Sequence, residues 1–316
     1  MPFNSVTDRT DAGALIPEER AREIIQGLPA QSAALSLFRQ VRMSSKVRSQ
    51  PVLSALPYAY WVDGDTGLKQ TSEASWGRKQ MVAEEIAVII PVPEAVLDDA
   101  EYDIFGEIRP RLVEAFGEKI DQAVLFGTDK PASWTDPAIV PGAVAAGNAV
   151  AAGTGTDLAS DISEAMALVE DDDFDVNGFA ARRRIRAMLR DLRDTNGNPI
   201  YSPSLTAGTP GALFGEPITY VRNRAWDGDA AELIAGDFSQ AIIGLRQDIT
   251  YKVLDQAVIT DADGVVLLNL AQQDSVALRA VMRVAYAVNV PVTRANMDAT
   301  TPFPFAIISP ADESGD

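Results

Sequence analysis

The feature that most constrains the fold is a pair of strand-like runs within Val52–Val92 that flank a long polar excursion. Small and apolar residues alternate toward aromatic side chains in the first run, and isoleucine and valine recur at every second position in the second run. These residues are Tyr58, Tyr60 and Trp61 in the first run, and Ile86, Val88 and Ile90 in the second run. A two-residue period predicts strands with one buried face, so we expect an extended β-ribbon over residues 49–92.

The middle of this segment has too little apolar surface for a core of its own. Asp63–Gly67 is turn-forming, and Lys69–Arg78 is polar apart from Trp76. A two-stranded ribbon is only marginally stable alone in water. One interpretation is an arm that lies across another subunit. The alternative is a surface hairpin packed on its own domain.

The absence of cysteine and histidine from 316 residues removes most catalytic chemistry. Disulfides, thiolate nucleophiles, histidine proton shuttles and the common zinc sites are excluded, and we expect neither a cofactor nor a metal. The composition, 47% hydrophobic and 23% charged, is that of a globular protein with one large domain or two ordinary ones. Without a secretory signal pattern or a long apolar span, we expect a cytoplasmic and not a membrane location.

The formal net charge of −18 argues against binding of the nucleic-acid backbone over the whole protein surface. This charge is compatible with a surface that lines DNA without binding it tightly. The local exception is an amphipathic helix with a basic face. Its arginines are Arg182, Arg183, Arg184, Arg186, Arg190 and Arg193. We expect the acidic run Glu170–Asp173 and Asp175 as partners, and favour a solvated or inter-subunit salt-bridged face over a nucleic-acid site.

Two helices are predicted in the first half of the chain. Pro17–Gly27 reads as a short helix in an N-terminal arm. Apolar residues recur every four positions over Tyr102–Phe126, which predicts a long helix that ends at Gly127. Pro110 is expected either to kink this helix or to begin a second one.

A second lobe of short strands and helices is predicted after this helix. Ala138–Thr156 reads as a loop at a subdomain boundary, and Asp157 as the cap of the next helix. The strands expected in the rest of the chain are Phe179–Ala181, Ile218–Val221, Ala241–Ile243, Ile249–Ile259, Val265–Asn269 and Val276–Val290. The last is predicted to be half-buried, with Arg279 and Arg283 on its polar face.

Asp173, Asp175, Asn177 and Gly178 match the opening of a calcium-binding loop. The twelfth position of such a loop needs a bidentate glutamate, and here it is Arg184. A turn that leads into a strand is therefore the favoured interpretation.

The order and spacing of several motifs, from about Leu15 to Ile308, resemble the major capsid protein of tailed bacteriophages, the Hong Kong 97-like fold family. The motifs are Leu15–Glu19, Ile89–Glu94, Val124–Gly127, Asp194–Pro199, Leu213–Ile218 and Asp274–Val290. The resemblance implies an α+β fold with an N-terminal arm (1–48), an extended β-hairpin loop (49–92), a peripheral domain with the spine helix (93–141), an axial domain (142–245) and further peripheral strands with the C-terminus (246–316).

The resemblance also implies a non-enzymatic shell protein that forms pentamers and hexamers around phage DNA without sequence-specific contacts. The expected partners are copies of itself, a separate scaffolding protein, a portal and a decoration or minor capsid protein, in a virion assembled in the bacterial cytoplasm. The residues expected at contacts between subunits are Trp61, Asp63, Lys69, Trp76, Arg78, Lys79, Arg182, Arg183, Arg186, Arg279 and Arg283.

Two alternatives remain open at this stage. A cargo-enclosing bacterial nanocompartment would share the fold and differ in its contents. A metal-independent enzyme that uses clustered carboxylates would instead need a pocket of convergent acids with raised pKa values.

Overall fold

The computed structural model describes residues 32–62, 68–69, 71–99, 104–193, 196, 211–261, 263–292 and 302–311. The helix predicted at Pro17–Gly27 and the turn predicted at Asp63–Gly67 lie outside these residues. The described residues mix helices with sheets, which confirms the predicted α+β class.

The helices are α1 (Ala33–Leu37), α2 (Glu94–Asp99), α3 (Ile104–Asp121), α4 (Ile139–Ala146), α5 (Leu158–Asp171) and α6 (Ile185–Asp191). The strands are β1 (Arg39–Arg42), β2 (Val47–Ala55), β3 (Ser75–Val82), β4 (Glu84–Pro93), β5 (Ala149–Ala151), β6 (Gly178–Arg182), β7 (Ala212–Leu213), β8 (Glu216–Val221), β9 (Leu233–Gly236), β10 (Ala241–Leu254), β11 (Val258–Thr260), β12 (Val266–Asn269), β13 (Ser275–Val288) and β14 (Phe305–Ser309).

A four-stranded sheet in the order β1-β10-β13-β4 supports one side of the molecule. β13 pairs antiparallel with β10 and β4, and β1 runs parallel to β10. The half-buried pattern predicted for β13 holds only at Arg279 and Arg283, since Ala277 and Val281 on the same face are buried. Ala285 and Ala287, on the face opposite Tyr286, are also buried, because Met43 and Met81 cover them.

β10 joins two segments that the sequence predicts as separate strands, Ala241–Ile243 and the first part of Ile249–Ile259. Its pairing register with β13 shifts between Leu245 and Gln247 and again between Gln247 and Thr250. Such irregularities interrupt the two-residue alternation of side chains. The sequence pattern therefore breaks where the strand itself continues.

A six-stranded sheet in the order β5-β14-β9-β6-β8-β7 forms the second lobe. One of its faces, which includes Phe179 and Leu233, packs on the apolar sides of α5 and α6. The other face, which includes Ala180, Ile234 and Phe305, joins the main core. The strand predicted at Phe179–Ala181 and the cap predicted at Asp157 are confirmed.

The main core also contains the buried stripe of α3, from Leu112 to Ile120. The helix is continuous through Pro110, so the prediction of a second helix starting there is wrong. Pro110 is exposed, on the side of the helix away from the core. The helix extends as a π-helical turn and ends at Gly127, whose φ of 76° confirms the predicted cap.

The predicted loop at Ala138–Thr156 is wrong from Ile139 to Ala151, because α4 and β5 lie there. Pro141 falls in the first turn of α4, where a missing N–H costs little. A Cβ on Gly142 would overlap the ring of Phe303. The small residues that suggest a loop in the sequence here allow a helix to lie close against the core.

A chain of aromatic contacts links the two lobes. Trp134 lies against Tyr286, with ring centroids 5.9 Å apart, and Tyr286 lies 6.5 Å from Phe38. Phe38 stacks on Phe238 at 6.0 Å, and Phe238 meets Phe305 edge-on at 5.3 Å. Because Tyr286 belongs to the four-stranded sheet and Phe305 to the six-stranded one, the lobes share one core.

Candidate subunit interface

The antiparallel pair β2–β3 forms a ribbon that we define as residues 47–82. Its register places Leu53 opposite Trp76 and Val47 opposite Val82. This corrects the predicted return strand of the ribbon. Ile86, Val88 and Ile90 do form a strand, but that strand is β4, which pairs with β13 in the four-stranded sheet.

The base of the ribbon is anchored by a small apolar cluster. Met81 is buried against Met43 and Ala83 from neighbouring segments and against Ile242 and Ala285 from the four-stranded sheet. Gly244 allows this approach, because a Cβ there would overlap the Met43 sulfur. The ribbon therefore leaves the body from a packed base.

Polar contacts hold the same base. The Lys79 Nζ lies 3.1 Å from a carboxylate oxygen of Asp136 and donates to the carbonyl of Val288. The other oxygen of Asp136 accepts from the Val288 amide at 3.0 Å, and the Trp134 indole N–H donates to the Val82 carbonyl at 3.0 Å. These contacts join β3 to β13 and to the segment before α4.

Beyond this base the ribbon exposes large apolar side chains. Trp61 is 102% exposed, Leu68 92% and Trp76 71%. Tyr58 and Tyr60 lie edge to face nearby, with ring centroids 4.8 Å apart, and both are exposed. Large apolar side chains that cluster on a surface are typical of a site for protein contact.

The structure separates the predicted ribbon residues into two groups. Trp61, Lys69, Trp76 and Arg78 are exposed, as an intermolecular contact requires. Lys79 is instead bound within its own chain to Asp136. Asp63 lies outside the described residues.

The predicted arginine residues also separate. Arg182 forms an ion pair with Glu232 at 3.1 Å, so the prediction that residues 170–175 supply its partner is wrong. Glu232 was not predicted as the partner of Arg182, because it is distant from Arg182 along the chain. The pairing of β9 with β6 places Leu233, the neighbour of Glu232, beside β6. The guanidinium of Arg186 lies 5.0 Å from the ring centroid of Tyr220, and Arg183 is exposed.

The two arginines of β13 also differ in whether they form an ion pair within the described part of their own chain. Arg283 pairs with Glu85 on β4, with its Nη2 2.7 Å from the carboxylate. Arg279 is exposed and lies opposite Lys252 on β10 and Ile89 on β4. Arg279 therefore remains available for contact outside its own chain.

A second exposed apolar surface was not predicted. The antiparallel pair β11–β12 and the segments beside it expose Val253, Val258, Val265, Val266 and Leu267. The signal in the sequence is the unbroken apolar run of Val265–Leu268 after the turn at Gly264, where a ribbon with one buried face would alternate.

The described residues were compared with the patterns of a metal site and of a membrane-spanning helix. No cluster of three potential metal ligands occurs among them. Within the calcium-like segment, the Asn177 side chain donates to Asp237 at 2.5 Å and accepts from the Phe238 amide, so it serves the turn that leads into β6. None of the helices in the described ranges has the length and apolarity needed to span a bilayer.

Comparisons with known proteins agree on one family. The model of the phage capsid family matches residues 12–292. The major capsid protein of Staphylococcus phage 80alpha is 30% identical over 288 residues, which cover 90% of this chain and 84% of that protein. A solved structure from Microbacterium phage Oxtober96 is 48% identical with a TM-score of 0.80, covering 89% of this chain and 91% of the other. Another from Mycobacterium phage Adephagia is 34% identical with a TM-score of 0.80, covering 99% and 100%.

Proposed function

Because this chain belongs to the phage capsid family and is a major capsid protein with the Hong Kong 97-like fold, we propose that its copies close into pentamers and hexamers of an icosahedral shell. The shell would enclose the double-stranded DNA of a tailed bacteriophage. Head-to-tail contacts that close on themselves generate such rings. As a capsid protein it is a component of the virion, and we propose that it assembles in the cytoplasm of the bacterial host.

The observation that carries the proposal is the contrast between the two ends of the ribbon. Its base is held by Met81 and the Lys79–Asp136 ion pair, while Trp61, Leu68 and Trp76 are 102%, 92% and 71% exposed. Burying one such side chain contributes about 1.5–3 kcal/mol. An adjacent subunit would supply that burial for each copy in a shell.

The domain boundaries are part of the same proposal. We assign residues 1–48 to an N-terminal arm, 49–92 to the extended loop, 93–141 to the peripheral domain with the spine helix, 142–245 to the axial domain and 246–316 to the peripheral strands and C-terminus. The continuous α3 supports the spine assignment, and five strands of the six-stranded sheet support the axial one. The sixth strand, β14 (Phe305–Ser309), lies between β5 and β9, so these C-terminal residues belong to the axial sheet and not to the peripheral strands.

The proposed partners other than further copies are a separate scaffolding protein, a portal and a decoration or minor capsid protein. We propose that DNA is enclosed without sequence-specific contacts, because a net charge of −18 opposes tight binding to phosphates. The family is structural, and we propose that this member has no catalytic activity. A nanocompartment or a carboxylate enzyme is not favoured by the matches to phage capsid proteins.

The test replaces Trp61, Leu68 and Trp76 together with serine. Since all three side chains are exposed, we expect the far-ultraviolet circular dichroism and the unfolding midpoint of the subunit to match the wild type. Closed particles should be lost in negatively stained electron micrographs.

Val144→Ser is the matched control, because Val144 is 56% exposed on α4, away from the ribbon. This variant should form particles like the wild type. Normal particles from the triple serine variant would refute the role of the ribbon.

A further inference from the structure

A cleft in the second lobe concentrates positive charge in an otherwise acidic protein. It measures about 390 Å³, and Arg183, Arg186 and Arg222 are among its lining residues. Ser36 and Thr219 add hydroxyl groups to its wall. We call this feature the basic cleft. A cavity of this size suits a few side chains of a partner.

No carboxylate of the described residues neutralises the basic cleft. The ion pairs found in the described ranges of the chain join other residues, and Arg182 next to the cleft is already paired with Glu232. Arg186 lies over the ring of Tyr220, with its guanidinium 5.0 Å from the ring centroid, and this contact favours the placement of its charge in the cleft. Guanidinium groups in such a wall suit carboxylates, which they bind in a bidentate manner.

The acidic counterpart lies on the same lobe at the other end of β6. Glu170, Asp171, Asp173 and Asp175 are exposed between the end of α5 and the start of β6, and we call them the acidic turn. None of them forms an ion pair with a described residue. Because β6 separates the acidic turn from Arg183 by five residues, or about 16 Å, the two groups do not neutralise each other within one chain.

From this arrangement we infer that the basic cleft of one copy receives the acidic turn of the next copy in a ring. The inference rests on the proposed function, since it names a contact within the proposed pentamers and hexamers. Two different patches that complement each other make a head-to-tail contact, which closes into rings and not into an isolated two-fold pair. Each exposed ion pair is weak, but the contact repeats at every subunit boundary.

The experiment reverses charge at each end and then at both. One variant carries Arg183→Glu and Arg186→Glu, a second carries Glu170→Arg and Asp171→Arg, and a third carries all four changes. The third keeps the net charge of the wild type and reverses the sign of two residues in each patch. We expect each two-site variant to yield fewer closed particles by about tenfold or more, because like charges then meet at every boundary. The four-site variant should restore assembly.

Charge reversals outside the two patches serve as controls. Arg190→Glu with Arg193→Glu changes one arginine in α6 and one just after it, neither of which lines the cleft, and Glu164→Arg alters the exposed side of α5. Both should assemble normally. Circular dichroism of the unassembled subunits establishes that every variant is folded.

The outcomes distinguish a contact between copies from nucleic-acid binding by the same cleft and from failure of the proposed shell function. Wild-type particles from both two-site variants, or a four-site variant that assembles no better than they do, would overturn the inference and leave the shell function intact. If the Arg183 and Arg186 variant assembles normally but protects less DNA from nuclease, the cleft binds nucleic acid and the inference is wrong. A wild-type chain that never forms rings would instead refute the proposed function.

Discussion

At the scale of single residues, the buried carboxylate of Asp121 binds the segment that begins at Ser32 through several hydrogen bonds. Its oxygens accept from the Ser32 hydroxyl at 2.7 Å, from the Ala33 and Ala34 amides at 3.0 and 2.9 Å, and from the Asn223 side chain at 2.5 Å. The carboxylate thus satisfies free amides at the start of α1 from a distant helix. Burial raises the pKa of Asp121 above its ordinary value of 3.8, against the hydrogen bonds that lower it.

This shift in pKa predicts the sign of a pH effect on stability. The folded state holds the Asp121 proton more firmly than the unfolded chain does, so its contribution to the free energy of unfolding is complete below pH 3.8 and falls as pH rises through the raised pKa. In Asp121→Asn this titration is absent. Urea unfolding from about pH 3.5 to about pH 6 should therefore show the wild type losing stability relative to the variant as pH rises.

The matched control for this prediction is Asp229→Asn, which changes an exposed carboxylate. It should leave the pH slope of the wild type unchanged. If the wild type instead gained stability relative to Asp121→Asn as pH rises, the sign derived above would be wrong.

A second prediction at this scale compares two lysines of the ribbon. Lys79→Met removes the half-buried ion pair with Asp136 and the hydrogen bond to Val288, and it should lower the free energy of unfolding by about 1–2 kcal/mol. Lys69→Met should change it by less than about 0.5 kcal/mol, because Lys69 is exposed. Guanidinium unfolding of unassembled subunits measures both. Equal effects would show that Lys79 does not anchor the base of the ribbon.

At the scale of elements, the close approach of the ribbon base to β10 depends on a glycine. In Gly244→Ala the new Cβ would overlap the Met43 sulfur and lie 3.1 Å from Ala285 and from Met81. Crowding of this kind costs about 1–3 kcal/mol. Gly77→Ala is the control, because its nearest neighbours would be 3.8 Å away. Thermal unfolding should show a lower midpoint for Gly244→Ala alone, and an unchanged midpoint for both would mean that the base is loosely packed.

The sequence predicts the elements whose periodic pattern reflects a single buried face. The long α3, its cap at Gly127 and the strand from Val276 follow from such patterns and are confirmed. The helix within Ala138–Thr156 was missed, because its small residues resemble a loop until the contact with Phe303 is known. The return strand of the ribbon was missed because Met81 is the one buried residue of Ser75–Val82, which carries no apolar alternation.

The candidate interface shows the same limit. The exposed Trp61 and Trp76 are predictable, since an apolar residue in a polar segment has no local partner. The ion pairs of Lys79 with Asp136 and of Arg182 with Glu232 are not, because each joins residues that only the tertiary fold brings together. A charged residue therefore cannot be assigned to an intermolecular contact from its position in the sequence alone.

At the scale of the whole molecule, two lobes share one core, and the ribbon extends from it. The aromatic chain from Trp134 through Phe238 to Phe305 ties the lobes together, and the ion pair of Lys79 ties the ribbon to the body. A subunit built in this way holds the base of the ribbon against its body and leaves the tryptophans exposed. We expect the ribbon to keep this orientation when the shell forms.

The most direct test of the account is a cryo-electron microscopy map of the assembled particle that resolves side chains of the ribbon. The account predicts that Trp61, Leu68 and Trp76 of each copy lie buried against an adjacent copy, with Lys79 still bound to Asp136 of its own chain. A map in which these three side chains pack on their own subunit, or face solvent with no adjacent copy in contact, would contradict it.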